Sequence, residues 1–203
     1  PTKSADGKIV AGLRRLGKRV VFVLEDDLFL VIHLMIAGRF KWKEAGARIP
    51  GKVGLAAFDF PNGTLLLTEA GSQRRASMYL VRGEPALAAL DPGGIEVLGS
   101  TAAEFAGVLT RENHTLKRAL TDPHFFSGIG NAYSDEILHA ARLSPMQLTS
   151  KLTPAQITGL HGHVVSVLTK WRDALIAETG EGFPEKVTAF REEMAAHGRF
   201  GKP

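Results

Sequence analysis

Two apolar runs, Val20-Val21-Phe22-Val23-Leu24 and Leu28-Phe29-Leu30-Val31-Ile32, flank the acidic triplet Glu25-Asp26-Asp27. Short runs rich in β-branched and aromatic side chains fit the pleated surface of a sheet, and the polar break between them predicts a hairpin of buried strands. A second hairpin is predicted over residues 55–60 and 64–68, joined by Pro61-Asn62-Gly63. Asn-Gly supplies the positive φ angles that tight hairpin turns require. The first half of the chain therefore reads as a β-sandwich.

Around residues 86–99 the pattern breaks into Leu87, Leu90 and Asp91-Pro92-Gly93-Gly94, a turn-rich connector, after which the hydrophobic period becomes helical. Short helices are predicted over residues 101–109 and 113–120. Thr153-Pro154 then places a capping hydroxyl and a first-turn proline ahead of Ile157, Leu160, Val164, Leu168, Trp171 and Leu175, which recur at steps of three and four. This predicts one long helix with a single core-facing stripe, stopped by Gly180-Glu181-Gly182-Phe183-Pro184. The division is expected near residue 110, with a β-rich domain over 1–110 and a helical one over 111–203.

Composition narrows the class. A chain of 203 residues that is 44% hydrophobic can bury one large core or two modest ones. Its longest apolar run, over residues 28–34 with His33 inside it, falls well short of the ~20 residues that span a bilayer, so a soluble protein without a membrane partner is expected. With Cys 0 there is neither a disulfide nor a thiolate metal site, and the 7 histidines are scattered. Net charge is +4 and the basic excess is N-terminal, with 11 Lys and Arg against 5 Asp and Glu over residues 1–53. That balance permits an anionic partner without demanding one. The opening Pro1-Thr2-Lys3-Ser4 has no charged region leading into an apolar one, so it is not a signal peptide and reads as a chain entered in mid-domain.

The densest chemistry lies in Leu116-Lys117-Arg118-Ala119-Leu120-Thr121-Asp122-Pro123 and the Gly128-Ile129-Gly130-Asn131 that follows it. One helix is expected to end at Asp122-Pro123 and another to begin after Asn131. The glycines allow a tight turn and a close approach, and the free N–H groups opening the second helix suit a phosphate oxygen. Asn131 either caps that helix or binds the anion itself. Such a turn is, on physical grounds alone, more often plain topology than a binding site. A mononucleotide loop is disfavoured because the glycines follow a helical pattern and not a strand.

This segment resembles the helix-two-turn-helix of the formamidopyrimidine-DNA glycosylase and endonuclease VIII family. Further matches follow in order: Arg14-Arg15-Leu16-Gly17-Lys18 resembles the family's basic hairpin, and His33-Leu34-Met35-Ile36-Ala37-Gly38-Arg39 resembles its His-Leu-Gly-Met-Ser-Gly-Arg signature. Lys117-x-x-Leu120-x-Asp122, Gly128-Ile129-Gly130-Asn131-Ala132-Tyr133-x-x-Glu136-Ile137-Leu138 and the tail His197-Gly198-Arg199-Phe200-Gly201-Lys202-Pro203 complete the set. The resemblance implies an α+β chain, an incomplete N-terminal antiparallel β-sandwich followed by a helix-two-turn-helix domain. It implies a base-excision-repair DNA glycosylase with abasic-site lyase activity on oxidised bases. The partner would be duplex DNA carrying damaged bases or abasic sites, met by a monomer in the bacterial cytoplasm. In the family an N-terminal proline amine attacks the sugar to form a Schiff base, assisted by an adjacent glutamate, after the damaged nucleotide has been flipped out of the duplex.

Carried over residue by residue, Lys18 matches the lysine that serves elimination as a proton donor. Ile36 falls where the family inserts a methionine into the gap left by the flipped base, although Met35 is adjacent and a shift of one residue would exchange them. Arg74 matches an arginine that contacts the orphaned base, and Lys52 stands for a phosphate contact. Lys117, Gly130 and Asn131 are the expected phosphate clamp of the glycine turn.

The chain also departs from the pattern. Pro1 precedes Thr2-Lys3-Ser4 and not glutamate, so it is rejected as the nucleophile, and a fragment lacking about the first quarter of the domain, itself inactive, is expected. The family's zinc hairpin would follow Pro203, so no cofactor is expected in this chain and a structural zinc only in the full-length protein. Ala76 replaces the family's aromatic wedge, and residues 179–186 are a short substitute for its base-covering loop. The alternative reading is a damaged-DNA-binding homologue without catalysis.

Overall fold

The computed structural model describes residues 2–71, 73–184 and 191–198. Pro1, Phe190 and the tail from Arg199 to Pro203 lie outside these, as do the last two residues of the expected capping segment. The chain forms two compact units: the first runs to Asp91 and includes the described residues 181–184, and the second comprises residues 92–180 with the described residues 191–198.

The first unit carries seven strands: β1 (Val10–Leu16), β2 (Arg19–Leu24), β3 (Leu28–His33), β4 (Gly38–Lys43), β5 (Gly54–Phe60), β6 (Gly63–Glu69) and β7 (Ser77–Arg82). They make a four-stranded antiparallel sheet in the order β1-β2-β3-β7 and a three-stranded one in the order β4-β6-β5. Leu24, Leu28, Leu30 and Ile32 of the first sheet share a core with Leu67 of the second, so the sheets face each other as a sandwich. Phe22 bridges them, edge-on to Phe40 with centroids 6.1 Å apart and stacked on Phe58 at 6.4 Å. The opposite face of the first sheet is also apolar. Val21, Phe29 and Val31 pack there with Leu87 of helix α1 (Glu84–Ala88), which is why β3 reads as a continuous apolar run and not an alternating one.

Both expected hairpins form, but the second turns differently from the expectation. Neither Asn62 nor Gly63 has a positive φ. Phe60 pairs with Gly63, so Pro61-Asn62 makes the turn and Gly63 opens β6. The glycine is required by packing: a Cβ there would stand 2.3 Å from the Trp42 ring. Positive φ falls instead at Asp26 and Asp27 in the first hairpin.

The second unit holds α2 (Ala102–Leu109), α3 (Leu116–Thr121), α4 (Asn131–Ala141) and α5 (Pro154–Thr179). Thr101 with Glu104 and Thr153 with Gln156 form reciprocal capping boxes that start α2 and α5 where the sequence placed them. Of the predicted stripe on α5, Leu160, Val164 and Trp171 are buried and Ile157 and Leu168 half-buried. Phe105 and Leu109 of α2 are fully buried in the same core, with Phe105 stacked on Phe126 at 4.7 Å. This corrects the boundary expected near residue 110: α2 contributes its apolar face to the helical core, so the division falls before it. Among the described residues no helix is long and apolar enough to cross a membrane.

Candidate nucleic-acid interface

Strand register gathers the candidate residues of the first unit. Leu16 pairs with Arg19 across the β1–β2 turn, and Arg19 pairs with His33 at the end of β3. His33 in turn pairs with Ser77 at the start of β7, while Gly38 at the start of β4 pairs with Glu69 at the end of β6. Gly54 at the start of β5 pairs with Thr68. Four connections therefore leave the strands at one end of the sandwich: Gly17-Lys18, residues 34–37, the segment before Gly54 carrying Lys52, and residues 70–76 carrying Arg74.

Lys18 sits at the tip of a two-residue turn in which Gly17 has a φ of 60° and Lys18 does not take a positive one. The residue is exposed, yet the protein around its amine displaces enough water to hold its pKa below the ordinary lysine value. His33 is also held below its usual value, first by burial and then by the charges of Arg19 and Lys18. The arginines of this basic stretch are largely committed to the fold. Arg14 pairs with Glu84, Arg15 donates to the Gly17 carbonyl at 2.8 Å and Arg19 to that of Leu90 at 3.0 Å.

Ile36 is the most exposed large apolar side chain in the described residues, at 76%, and its neighbour Met35 has a φ of 54°. Arg39 braces this loop by donating to the carbonyl of Ile36 at 2.9 Å and of Gly38 at 2.7 Å. Lys52 and Arg74 are brought together, since the Arg74 guanidinium donates to the Lys52 carbonyl. Beneath Arg74, buried Glu69 accepts from the main-chain N–H of Arg75 at 2.9 Å and of Ala76 at 3.1 Å. Glu69 was not legible as a site residue.

In the second unit, Thr115 caps α3 and Asp122 ends it, its carboxylate accepting the His124 N–H at 2.9 Å. Gly128 takes a φ of 84°, a conformation costly for other residues, and this turns Ile129 into the core, where it is 1% exposed. The turn is braced from outside it. Ile95 donates to the Phe125 carbonyl at 3.0 Å and accepts from the Ser127 N–H at 2.9 Å.

Gly130 is the cap of α4 and Asn131 its first helical residue, exposed and making no cap of its own. Of the two roles left open for Asn131, capping is thereby excluded. Lys117 reaches across from α3, its amine 2.8 Å from the Asn131 carbonyl and paired with Asp135 one turn along α4. The other oxygen of Asp135 meets the His197 ring Nδ1 at 2.9 Å. Burial pushes the Asp135 carboxyl upward, but the hydrogen bonds from Lys117 and His197 outweigh it and leave the pKa lowered. Buried Glu136 accepts the N–H groups of Ala195, Ala196 and His197 at 2.7–2.8 Å, and these likewise overcome burial to lower its pKa. Asp135 and His197 were missed at the level of sequence. The four-residue spacing of Asn131 and Asp135, which puts both on one helix face, was the available signal.

Residues 2–75 match the family model described as the formamidopyrimidine-DNA glycosylase N-terminal domain, and residues 95–178 match the one described as its H2TH domain. The formamidopyrimidine-DNA glycosylase of Desulfitobacterium hafniense is 30% identical over 202 residues, covering 94% of this chain and 71% of that protein. A formamidopyrimidine-DNA glycosylase-like protein of Mycobacterium tuberculosis is 38% identical over 121 residues, 60% of this chain and 73% of its own length. Among solved structures, the Lactococcus lactis formamidopyrimidine-DNA glycosylase non-covalently bound to DNA containing an abasic site superposes with a TM-score of 0.75 at 26% identity. That match covers 83% of this chain and 65% of the solved one, so the chain spans just under two thirds of it. Strands β1 to β6, the glycine turn and helices α2 to α4 fall within the matched segments, and the chain belongs to the formamidopyrimidine-DNA glycosylase family.

Proposed function

We propose that this chain is the lesion-engaging part of a base-excision DNA glycosylase that removes oxidised bases from duplex DNA and cleaves the resulting abasic site. The observation that carries the reading is the approach of the Lys117 amine to Asn131 at the head of α4, beside the Gly128–Gly130 turn. A cation, an exposed amide and the N–H of Gly130 are there disposed to hold one phosphate oxygen cluster. The matching Lactococcus lactis structure, bound to abasic-site DNA, supports the choice of partner.

In this reading the residues at the sandwich end have DNA roles of their own. Lys18, its pKa lowered, gives up a proton more readily than an ordinary lysine and suits the role of donor in elimination. Ile36 fills the gap left by the flipped base. The register supporting Ile36 over Met35 is that the left-handed φ falls at Met35, where the family signature carries glycine. Arg74 reaches the orphaned base and Lys52 a phosphate. A zinc site of cysteines does not fit this sequence, which has Cys 0.

The test is binding of the 203-residue chain to a duplex carrying a tetrahydrofuran abasic analogue against an undamaged duplex, over a range of salt. Lys117→Ala and Asn131→Ala are expected to weaken binding, and Lys117→Ala to lower the salt slope by about one unit. An unchanged slope removes Lys117 from the phosphate. Because Pro1 is followed by Thr2, borohydride should trap no covalent product with this chain. A trapped product would reinstate Pro1. A longer protein that contains this chain and begins Pro-Glu should be trapped, and its failure would favour the non-catalytic DNA-binding reading.

A further inference from the structure

An ammonium has three N–H donors. In Lys117 two have acceptors fixed in the first turn and a half of α4, the Asn131 carbonyl and the Asp135 carboxylate. The pair is sheltered, with the Lys117 side chain 27% and the Asp135 side chain 17% exposed. Asp135 is in turn held at its second oxygen by the His197 ring, which is 13% exposed. The backbone carrying that ring is tied to α4 by Glu136, through the three N–H groups of Ala195, Ala196 and His197. Every partner that aims the Lys117 amine is therefore itself aimed.

We propose that Asp135 is a positioning residue: it orients the Lys117 ammonium so that the remaining N–H is presented to an anionic oxygen at the head of α4, and His197 fixes Asp135 for that task. The identity of the oxygen, a DNA phosphodiester, rests on the function proposed above. The orientation rests on the contacts alone. The lowered pKa of Asp135 agrees with a carboxylate that stays ionised between two donors.

The opposite role for Asp135 is that of a competitor, neutralising Lys117 and keeping it from phosphate. Geometry favours positioning. A competitor need only occupy Lys117, whereas here the amine also bonds the carbonyl of the residue that opens α4, 2.8 Å away, and so stays at the candidate site. A flexible lysine without these partners would lose more side-chain freedom on meeting a ligand.

Asp135→Asn keeps the shape and removes the charge, and two measurements on the whole chain read the result. In the free protein, the Lys117 side-chain ammonium is expected to give a resolved 1H–15N signal that weakens or vanishes in Asp135→Asn. A signal that persists unchanged overturns the proposal whatever happens with DNA. In binding to the tetrahydrofuran duplex, Asp135→Asn is expected to weaken affinity about tenfold in the parent and not measurably in a Lys117→Ala background. A merely structural role would cost the same in both backgrounds, and tighter binding by Asp135→Asn would show a competitor. Either result overturns the proposal. If the signal responds as expected but the parent chain does not bind the duplex, the orienting role of Asp135 stands and the DNA reading fails.

Discussion

The buried carboxylate of Glu69 lies 2.9 Å from the main-chain nitrogen of Arg75, and it bonds the next N–H, of Ala76, as well. A single side chain at the end of β6 thus replaces the strand partner that residues 75 and 76 lack, and it sets the path of the loop that presents Arg74. Glu69→Ala leaves these donors without an acceptor and is expected to destabilise the chain by about 1.5–3 kcal/mol, the range for hydrogen bonds to a charged group. A shift of the urea midpoint at constant slope would measure it. An unshifted midpoint would mean that the loop holds its path without Glu69.

Gly63 and Trp42 give a second, independent prediction. A methyl group at position 63 would stand 2.3 Å from the indole, and the ring is stacked on Phe60 with centroids 5.9 Å apart, so it has little room to yield. Gly63→Ala is expected to cost about 1–3 kcal/mol through overpacking and to shift the tryptophan emission. Asn62→Ala should cost far less, since Asn62 does not take the positive φ that would require it.

Ile36 separates stability from function. It is 76% exposed, so Ile36→Ala is expected to change folding stability by less than about 0.5 kcal/mol. Under the proposed function the same substitution weakens binding to a tetrahydrofuran duplex more than to an undamaged one, because only the former offers a gap to fill. Equal losses on both duplexes would take the wedge role from Ile36.

His33 makes stability depend on pH with a definite sign. Its pKa is lowered in the folded chain, first by burial and then by Arg19 and Lys18, so between the folded value and the ordinary value of about 6.5 the unfolded chain binds more protons. Stability from this group is complete above that ordinary value and declines as pH falls towards the folded one. Chemical denaturation between neutral pH and about pH 5 should show the decline, and His33→Gln should flatten it. A parent and variant with parallel profiles would place the dependence elsewhere.

Much of the fold was legible locally. The apolar runs over residues 20–32 became β2 and β3, Thr153-Pro154 started α5, and the Asp122 and Gly128–Asn131 punctuation marked the two helix ends around the candidate site. These signals survive because they arise from neighbours in the chain: strand propensity, capping geometry and the stiffness of proline. Local signals mislead where the cause is distant. Gly63 looked like a turn residue because Asn precedes it, while its reason is Trp42 on another strand. Helix α2 looked like a late part of the β-rich half, while its buried face belongs to the helical core.

The candidate residue types in each unit follow from the sequence alone: a lysine at the end of a basic stretch and an apolar pair in a loop in the first, and a lysine and an amide around a glycine turn in the second. Their arrangement was decided by the tertiary structure. Register carried Lys18, Ile36, Lys52 and Arg74 to one end of the sandwich, because antiparallel pairing fixes which strand ends meet. Packing of α3 on α4 brought Lys117 to Asn131 and Asp135, and docking of residues 195–197 on Glu136 brought His197 to Asp135. Hydrogen bonds between residues far apart in the chain leave no periodic trace in it, since each needs only one donor and one acceptor at a distance that the whole fold sets.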